Sequence, residues 1–141
     1  GEVRRARCRS HLKQIGLGCM LYQQANNDFL PDRDGTGFLS ALYEGGYLQD
    51  PSIYICPSEA GEIDPLEGPF LRPGNVSYLG RRNRRDPLTS EGIAKFGSRT
   101  ALSTDRSNEN HETVREVLFG DGHVEAVEVG DLDPYLEVLG D

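Results

Sequence analysis

The stretch His111-Glu-Thr-Val-Arg-Glu-Val-Leu-Phe-Gly-Asp121-Gly122-His-Val-Glu-Ala-Val-Glu-Val129 predicts a β-hairpin. Residues 114–120 and 123–129 are two β-prone runs, and only an Asp-Gly pair separates them. Such a pair is typical of a two-residue type I′ turn, because this turn requires positive φ at both positions. We therefore expect two antiparallel strands that meet at this pair.

The predicted turn determines which side chains of the hairpin, residues 114–129, face each other. It places Phe119 opposite Val124 and gives the ribbon one apolar face and one mixed face, as expected for a hairpin that covers a core. Val127 then falls out of phase with Val124 and Ala126. This change of phase predicts a β-bulge near Ala126.

The composition indicates one turn-rich domain of modest size. The chain has 141 residues with 36% hydrophobic residues, 17 glycines and 8 prolines, which favours short elements and irregular connections over a helical bundle. No apolar run approaches the ~18 residues that span a bilayer, and no secretory signal is evident. We therefore expect the chain as given to be soluble.

The charge is strongly acidic overall and unevenly distributed. The net charge is −8, which argues against a nucleic-acid partner. Residues 1–13 carry five basic residues and one acidic residue, whereas residues 109–141 carry ten acidic residues and one arginine. This asymmetry is typical of two solvated faces, and it could also match the ends of neighbouring subunits in a polymer.

The N-terminal segment predicts a long helix. Five residues recur at spacings of 4, 3, 4 and 3 and form one apolar stripe; they are Cys8, Leu12, Ile15, Cys19 and Tyr22. The helix should end near residues 26–28, because Asn and Asp tolerate left-handed φ and Pro31 follows shortly after. We predict a single domain over 1–141, with a helix within 1–28 and a loop-rich β region over 29–141.

Shorter elements separated by turns fill the rest of the chain. The predicted elements are a short helix within the segment 37–48 that ends at Gly45-Gly46, strands over 53–56, 75–80 and 100–105, and a short helix within 132–139 that starts near Pro134. Residues 59–75 and 81–99 are predicted to be loops. One long helix followed by short strands predicts an α+β fold, in which the helix packs on a small antiparallel sheet.

Four motifs, in this order, resemble a bacterial family of prepilin-like (pseudopilin-like) proteins with a C-terminal H-X9-DG signature. Their residues are Leu12, Lys13, Gln14, Ile15, Gly16, Cys56, Pro57, Ser77, Tyr78, His111, Asp121 and Gly122. The first motif begins at Cys8 and continues to Asn26-Asn27-Asp28-Phe-Leu-Pro31. The chain departs from the family pattern at His11, where Asn is usual, and at Cys19, where a small apolar residue is usual.

The resemblance implies a pilin-like fold and a structural role without catalysis or a cofactor. It implies a subunit of a pilus-like or type II secretion-like filament at the periplasmic face of the bacterial inner membrane. The partners would be other pilin-like subunits or further copies, and a membrane helix would precede residue 1. The alternative is a membrane-tethered extracytoplasmic module that binds a glycan or a protein through loops 59–75 and 81–99.

Two catalytic-looking patterns are better explained by structure. The run Asp32-Arg-Asp34-Gly-Thr36 imitates a phosphatase nucleophile motif, but a turn precedes it where that chemistry needs a buried strand. The same run fails as a calcium-binding EF-hand loop, because the first ligand would be Leu30. The predicted strand from Arg115 to Gly120 alone spans about 20 Å, which places His111 and Asp121 at its opposite ends unless the loop of His111 folds back. Their spacing therefore indicates a structural hairpin.

Metal and disulfide sites remain open on the sequence alone. Asp105 and Asp121 are candidate calcium ligands. The three cysteines match no zinc spacing, and Cys8 and Cys19 lie about 16 Å apart along the predicted helix. Cys56 could form a disulfide with either one, although buried thiols are favoured. The arginines of 81–85 could meet phosphate or an acidic partner, but a solvated turn is favoured.

Overall fold

The computed structural model describes residues 2–59, 61, 63, 66, 68–106 and 113–141 and shows an α+β fold. The helices are α1 (Glu2–Ala25), α2 (Thr36–Glu44), α3 (Ser90–Phe96) and α4 (Asp133–Leu136). The strands are β1 (Tyr78–Arg81), β2 (Ala101–Asp105), β3 (Val114–Phe119), β4 (Val124–Glu128) and β5 (Leu139–Gly140). They form one antiparallel sheet in the order β4-β3-β2-β1-β5. Across these residues, no helix combines the length and apolarity that crossing a membrane requires.

The long N-terminal helix confirms the prediction from the apolar stripe. Cys8, Leu12, Ile15 and Cys19 are all buried against the sheet and the segments beside it. The helix ends where Asn27 and Asp28 adopt positive φ, and the Asp28 amide donates to the Gln23 carbonyl. The observed helix, Glu2–Ala25, therefore differs from the helix predicted within 1–28 only at its ends.

The sheet is covered on both faces, which the sequence did not indicate. Leu118 and Tyr78 belong to the core between the sheet and α1. Val117, Phe119 and Val127 belong to a second core on the opposite face. The C-terminal residues Leu132 and Leu139 are buried in this second core, and Tyr135 and Leu136 pack against it.

The predicted hairpin exists, but its turn and register were wrong. Leu118, rather than Phe119, pairs with Val124. The Gly122 amide donates to the Phe119 carbonyl, and only Gly122 in the loop has positive φ, at 91°. This is a three-residue loop in which a type I turn is followed by a left-handed glycine. Because Gly120 is part of the loop, the pairing between the two strands is shifted by one residue relative to the pairing predicted for a two-residue turn.

The bulge predicted near Ala126 was also wrong. Pairing between β3 and β4 is continuous from Val114 opposite Glu128 to Leu118 opposite Val124. Val127 is buried in the second core, so its phase needs no bulge once both faces are covered. The register shift lies instead in β2, between Ala101 and Ser103.

Several other boundaries differ from the predictions. Residues 53–56 do not form a strand: Pro51–Tyr54 is a 3₁₀ turn, capped by the Asp50 carboxylate, which accepts from the Ser52 amide at 3.0 Å. The second helix, Thr36–Glu44, ends at Gly45 as predicted. The remaining differences are a strand at Tyr78–Arg81 in place of 75–80, a helix limited to Asp133–Leu136 in place of 132–139, and α3 within the predicted loop 81–99.

The predicted solvated turn over residues 81–85 was wrong for its first residue. Arg81 is the last residue of β1, and its side chain is buried. Its guanidinium donates to the carbonyls of Ala101 and Asp86 at 3.3 and 3.1 Å, and burial lowers its pKa. Arg84 and Arg85 are exposed, as predicted.

The Asp-Arg-Asp-Gly-Thr run has a structural role in the turn before α2. The Asp34 carboxylate accepts from the backbone amides of Arg84 and Arg85, at 2.9 and 3.0 Å. Gly35, at φ 61°, donates its amide to the Arg81 carbonyl. The backbones of Gly35 and Gly80 touch so closely that a Cβ on Gly80 would collide with the Gly35 carbonyl.

We expect Gly80→Ala to destabilise the fold by about 3 kcal/mol, because the added methyl meets a backbone carbonyl that cannot rotate away. Gly130→Ala is the matched control. Nothing lies within 4 Å of a Cβ at Gly130, so the change should stay within about 0.5 kcal/mol. Urea denaturation of both variants measures the difference, and equal midpoints would contradict the close approach.

Candidate functional site

Three of the four sequence motifs converge on one buried cluster beneath the N-terminal half of α1. Cys8 comes from α1, Cys56 from the segment after the 3₁₀ turn, Asp105 from the end of β2, and Ser77 and Tyr78 from the start of β1. Cys8, Cys56 and Asp105 are exposed by only 2, 0 and 3%. Residues distant in the sequence thus form a single enclosed polar site.

The two cysteines of this cluster are in direct contact. Their Sγ atoms lie 3.0 Å apart, and the Cys8 Sγ lies 3.9 Å from Asp105 Oδ2. The pairing alternatives left open by the sequence are thereby reduced to one, because Cys56 faces Cys8 and not Cys19. Cys19 is fully buried elsewhere along α1, where burial raises the pKa of its thiol to about 12.

Tyr78 and Ser77 connect the cluster to the rest of the fold. The Tyr78 hydroxyl lies 3.2 Å from His11 Nδ1, and the two rings meet edge to face. The Ser77 hydroxyl accepts from the Cys56 amide at 2.9 Å, and the Ser77 amide donates to the Tyr54 carbonyl at 2.8 Å. The motif that contains Cys56 is therefore held against β1 by the Ser-Tyr motif.

The surroundings favour the neutral forms of three titratable groups in and beside the cluster, which are Cys8, Tyr78 and His11. The hydrogen bond with Cys56, burial and the charge of Asp105 all raise the pKa of the Cys8 thiol. Burial, together with the neighbouring cysteines, raises the pKa of Tyr78. Burial also lowers the pKa of His11, against the opposing effects of the Ile55 backbone and Asp50. A thiol nucleophile must be ionised, so the raised pKa of Cys8 disfavours its nucleophilic form.

The two sulfur atoms and the Asp105 carboxylate lie close enough together to be ligands of one metal ion. In the described part of the chain, Cys8, Cys56 and Asp105 are the one group of His, Cys, Asp or Glu whose ligand atoms all lie within 4.8 Å of one another. Two thiols and a carboxylate would suit zinc better than calcium, which takes six to eight oxygen ligands. The candidate calcium ligands Asp105 and Asp121 do not share a site. Asp105 is at the far end of β2 from Ala101, which pairs with Phe119 beside the turn.

The first motif divides between two faces of α1. Leu12 and Ile15 are buried in the core, and Gly16 lies against Leu118, where an added Cβ would come within 2.8 Å of Leu118 Cδ1. Lys13 and Gln14 point away from the core, and the Gln14 amide donates to the carbonyl of Ser10 at 3.4 Å. The motif therefore presents a packed side and a polar outer side.

The hairpin motif lies outside the cysteine cluster. Asp121 and Gly122 form the loop, and the carbonyl of Gly122 would lie 3.6 Å from a Cβ on Gly16. His111 lies outside the described residues, so its predicted role as a loop anchor stays a prediction. Pro57 begins a short 3₁₀ turn directly after Cys56.

Two polar interactions in the structure had not been predicted from the sequence. Arg9 forms an ion pair at 2.8 Å with the buried Glu116 of β3, and His123 Nδ1 lies 2.5 Å from Asp121 Oδ1. The membership of Asp105 in the cysteine cluster was also missed. A carboxylate at the end of a β-prone run was the available signal, but its partners are 97 and 49 positions away in the chain.

Comparison of the chain with protein-family models, with curated proteins and with solved structures gives no match.

We expect Ser77→Ala to lower the free energy of unfolding by about 1–3 kcal/mol, because the buried Cys56 amide loses this hydroxyl acceptor. Ser98→Ala is the matched control, since Ser98 is exposed and its loss should change stability by less than about 0.5 kcal/mol. Urea denaturation measures the effect, and the dependence of the unfolding free energy on urea concentration should be unchanged. Identical stabilities of the two variants would show that the Ser77 bond does not hold the motif.

We expect the pKa of His123 to lie above its ordinary value, because Asp121 and Glu125 both bond its ring. The stabilisation this gives should be fully present below about pH 6.5, the value in the unfolded chain, and should be lost as pH rises through the higher folded pKa. NMR titration of the ring protons measures the pKa. Asp121→Asn should return it toward the ordinary value, and no change would contradict the pairing.

Proposed function

We propose that the chain is a non-enzymatic subunit of a pilus-like or type II secretion-like envelope filament. It would act at the periplasmic face of the bacterial inner membrane, with similar subunits or further copies as partners. The proposal rests on the four ordered motifs of the prepilin-like family and on one structural observation. That observation is the outer face of α1.

The outer face of α1 carries apolar side chains that the fold does not use. Leu17, Met20 and Leu21 are 55, 47 and 40% exposed, although the helix already buries a full stripe on its other side. Their spacings of three and four residues place them next to one another on a helix. Exposed apolar groups that form a contiguous patch are typical of interaction surfaces. A helix that is apolar on two sides suits a subunit that packs helix against helix.

The charge distribution supports the same arrangement. Arg7 is exposed in the first turns of α1, and Glu125, Glu128 and Asp131 are exposed at and after β4. Exposed groups of opposite charge on one molecule allow electrostatic contacts between identical copies. The acidic C-terminal region predicted from the sequence is thus available at the surface.

A groove at the C-terminal end of α1 favours the second candidate, an extracytoplasmic binding module. Tyr22, Asn26, Phe29 and Leu88 line it, and the Phe29 ring is 61% exposed. Aromatic rings beside amide groups can bind a sugar ring or a peptide. The groove lies next to loop 81–99, one of the two loops that the sequence suggested for this role.

We expect a photo-crosslinking amino acid at Leu17 to join copies of the full-length protein into covalent oligomers in cells. The same probe at Phe96 is the matched control, because Phe96 is equally apolar and 47% exposed but lies on α3. Denaturing gels of the irradiated cells show the covalent oligomers as a ladder of bands. Met20→Gln should reduce the Leu17 ladder at least several-fold without loss of folding, since Met20 is half exposed.

Two outcomes would contradict the filament proposal. Equal ladders from Leu17 and Phe96 would indicate non-specific collision. The absence of a ladder, together with glycan or peptide binding that Phe29→Ala abolishes, would favour the binding module instead.

A further inference from the structure

We propose that Cys8 and Cys56 form a disulfide bond that fastens α1 to the rest of the domain, and that Cys19 remains a thiol. A protein or small-molecule disulfide would be the oxidant. This inference does not depend on assembly into a filament.

The geometry of the sulfur pair carries the inference. The two Sγ atoms are 3.0 Å apart in a site exposed by at most 2%. A disulfide bond is about 2.05 Å long, so a movement of about 1 Å joins them. Both cysteines are positioned from opposite sides: the helix stripe holds Cys8, and the Ser77 hydroxyl holds the Cys56 amide at 2.9 Å. The folded arrangement therefore keeps the two sulfurs next to each other, in the positions that a bond between them requires.

Zinc is the competing occupant, and the set of ligands argues against it. A structural zinc site has four protein ligands, whereas the cluster offers three within the described part of the chain, Cys8, Cys56 and Asp105. The two sulfurs, 3.0 Å apart, would also have to separate to about 3.8 Å to bind one tetrahedral zinc.

The reaction is an ordinary thiol–disulfide exchange. The thiolate of one cysteine attacks a sulfur of the oxidant and forms a mixed disulfide, and one thiolate of the oxidant leaves. The thiolate of the second cysteine then attacks the protein sulfur of that mixed disulfide. The Cys8–Cys56 bond forms and the second thiolate of the oxidant leaves. The protein loses two protons and two electrons, and the oxidant is reduced to two thiols.

The exchange belongs to folding, before α1 has docked on the sheet. In the docked state both sulfurs are enclosed and the pKa of Cys8 is raised, so neither access nor ionisation favours attack. The finished bond then closes a long segment of chain, since the two cysteines are 48 positions apart. A cross-link over such a distance restricts the unfolded chain strongly.

The test refolds the purified chain in oxidised and reduced glutathione and measures thiols and mass after denaturation without a reductant. We expect one alkylated cysteine, a mass lower by two hydrogen atoms, and a cross-linked peptide that joins Cys8 to Cys56. The oxidised protein should melt on the order of 10 °C above a sample refolded with excess reductant.

Cysteine variants separate the bond from ordinary packing. The difference in melting temperature between oxidised and reduced samples should persist in Cys19→Ala and vanish in Cys8→Ala and Cys56→Ala. Because each variant is compared with itself, any cavity left by the substitution cancels.

Three outcomes would overturn the proposal: three alkylatable thiols after oxidative refolding, a cross-link that involves Cys19, or a native mass that retains added zinc with all thiols intact. None of them concerns contact between chains at Leu17. A failure here is therefore distinguishable from a failure of the filament proposal.

Discussion

The structure depends on the contact between one face of α1 and one face of the sheet. Leu12 and Ile15 fill this interface, and Gly16 lets the helix approach Leu118 of β3 closely. No other element described here covers that side of the central strands so extensively. The Arg9–Glu116 ion pair joins α1 to β3 across this interface, so it exists only when the helix is docked.

The parts of the fold that follow from local periodicity were predictable. The apolar stripe predicts α1, the β-prone runs on either side of Asp-Gly predict β3 and β4, and the Gly45-Gly46 pair marks the end of α2. The register of the hairpin was not predictable in the same way. The register depends on whether Gly120 belongs to the strand or to the loop. Which face of β4 is buried depends on the C-terminal segment that packs over Val127, and this packing is visible only in the folded structure.

Residues of the candidate site could be selected from the sequence as motifs, but their proximity in the fold could not be predicted. Cys8, Cys56 and Tyr78 were each selected from the sequence, yet nothing in their spacing shows that they touch. Asp105 joins them because β2 runs antiparallel to β1 and sets Asp105 opposite Tyr78. Such a pairing is a tertiary property. It needs the sheet order, which sequence periodicity does not contain.

The outer edge of β4 has a consequence for how this molecule can associate. An edge strand offers unpaired backbone groups on which another chain can extend the sheet, and charged side chains are the usual protection against this. Here Glu125 and Glu128 are exposed along that edge, and the opposite edge is the two-residue β5. Sheet extension between copies would bring glutamates against glutamates. Extension of the sheet is thereby discouraged by charge at the β4 edge, and the β5 edge offers only two residues for pairing.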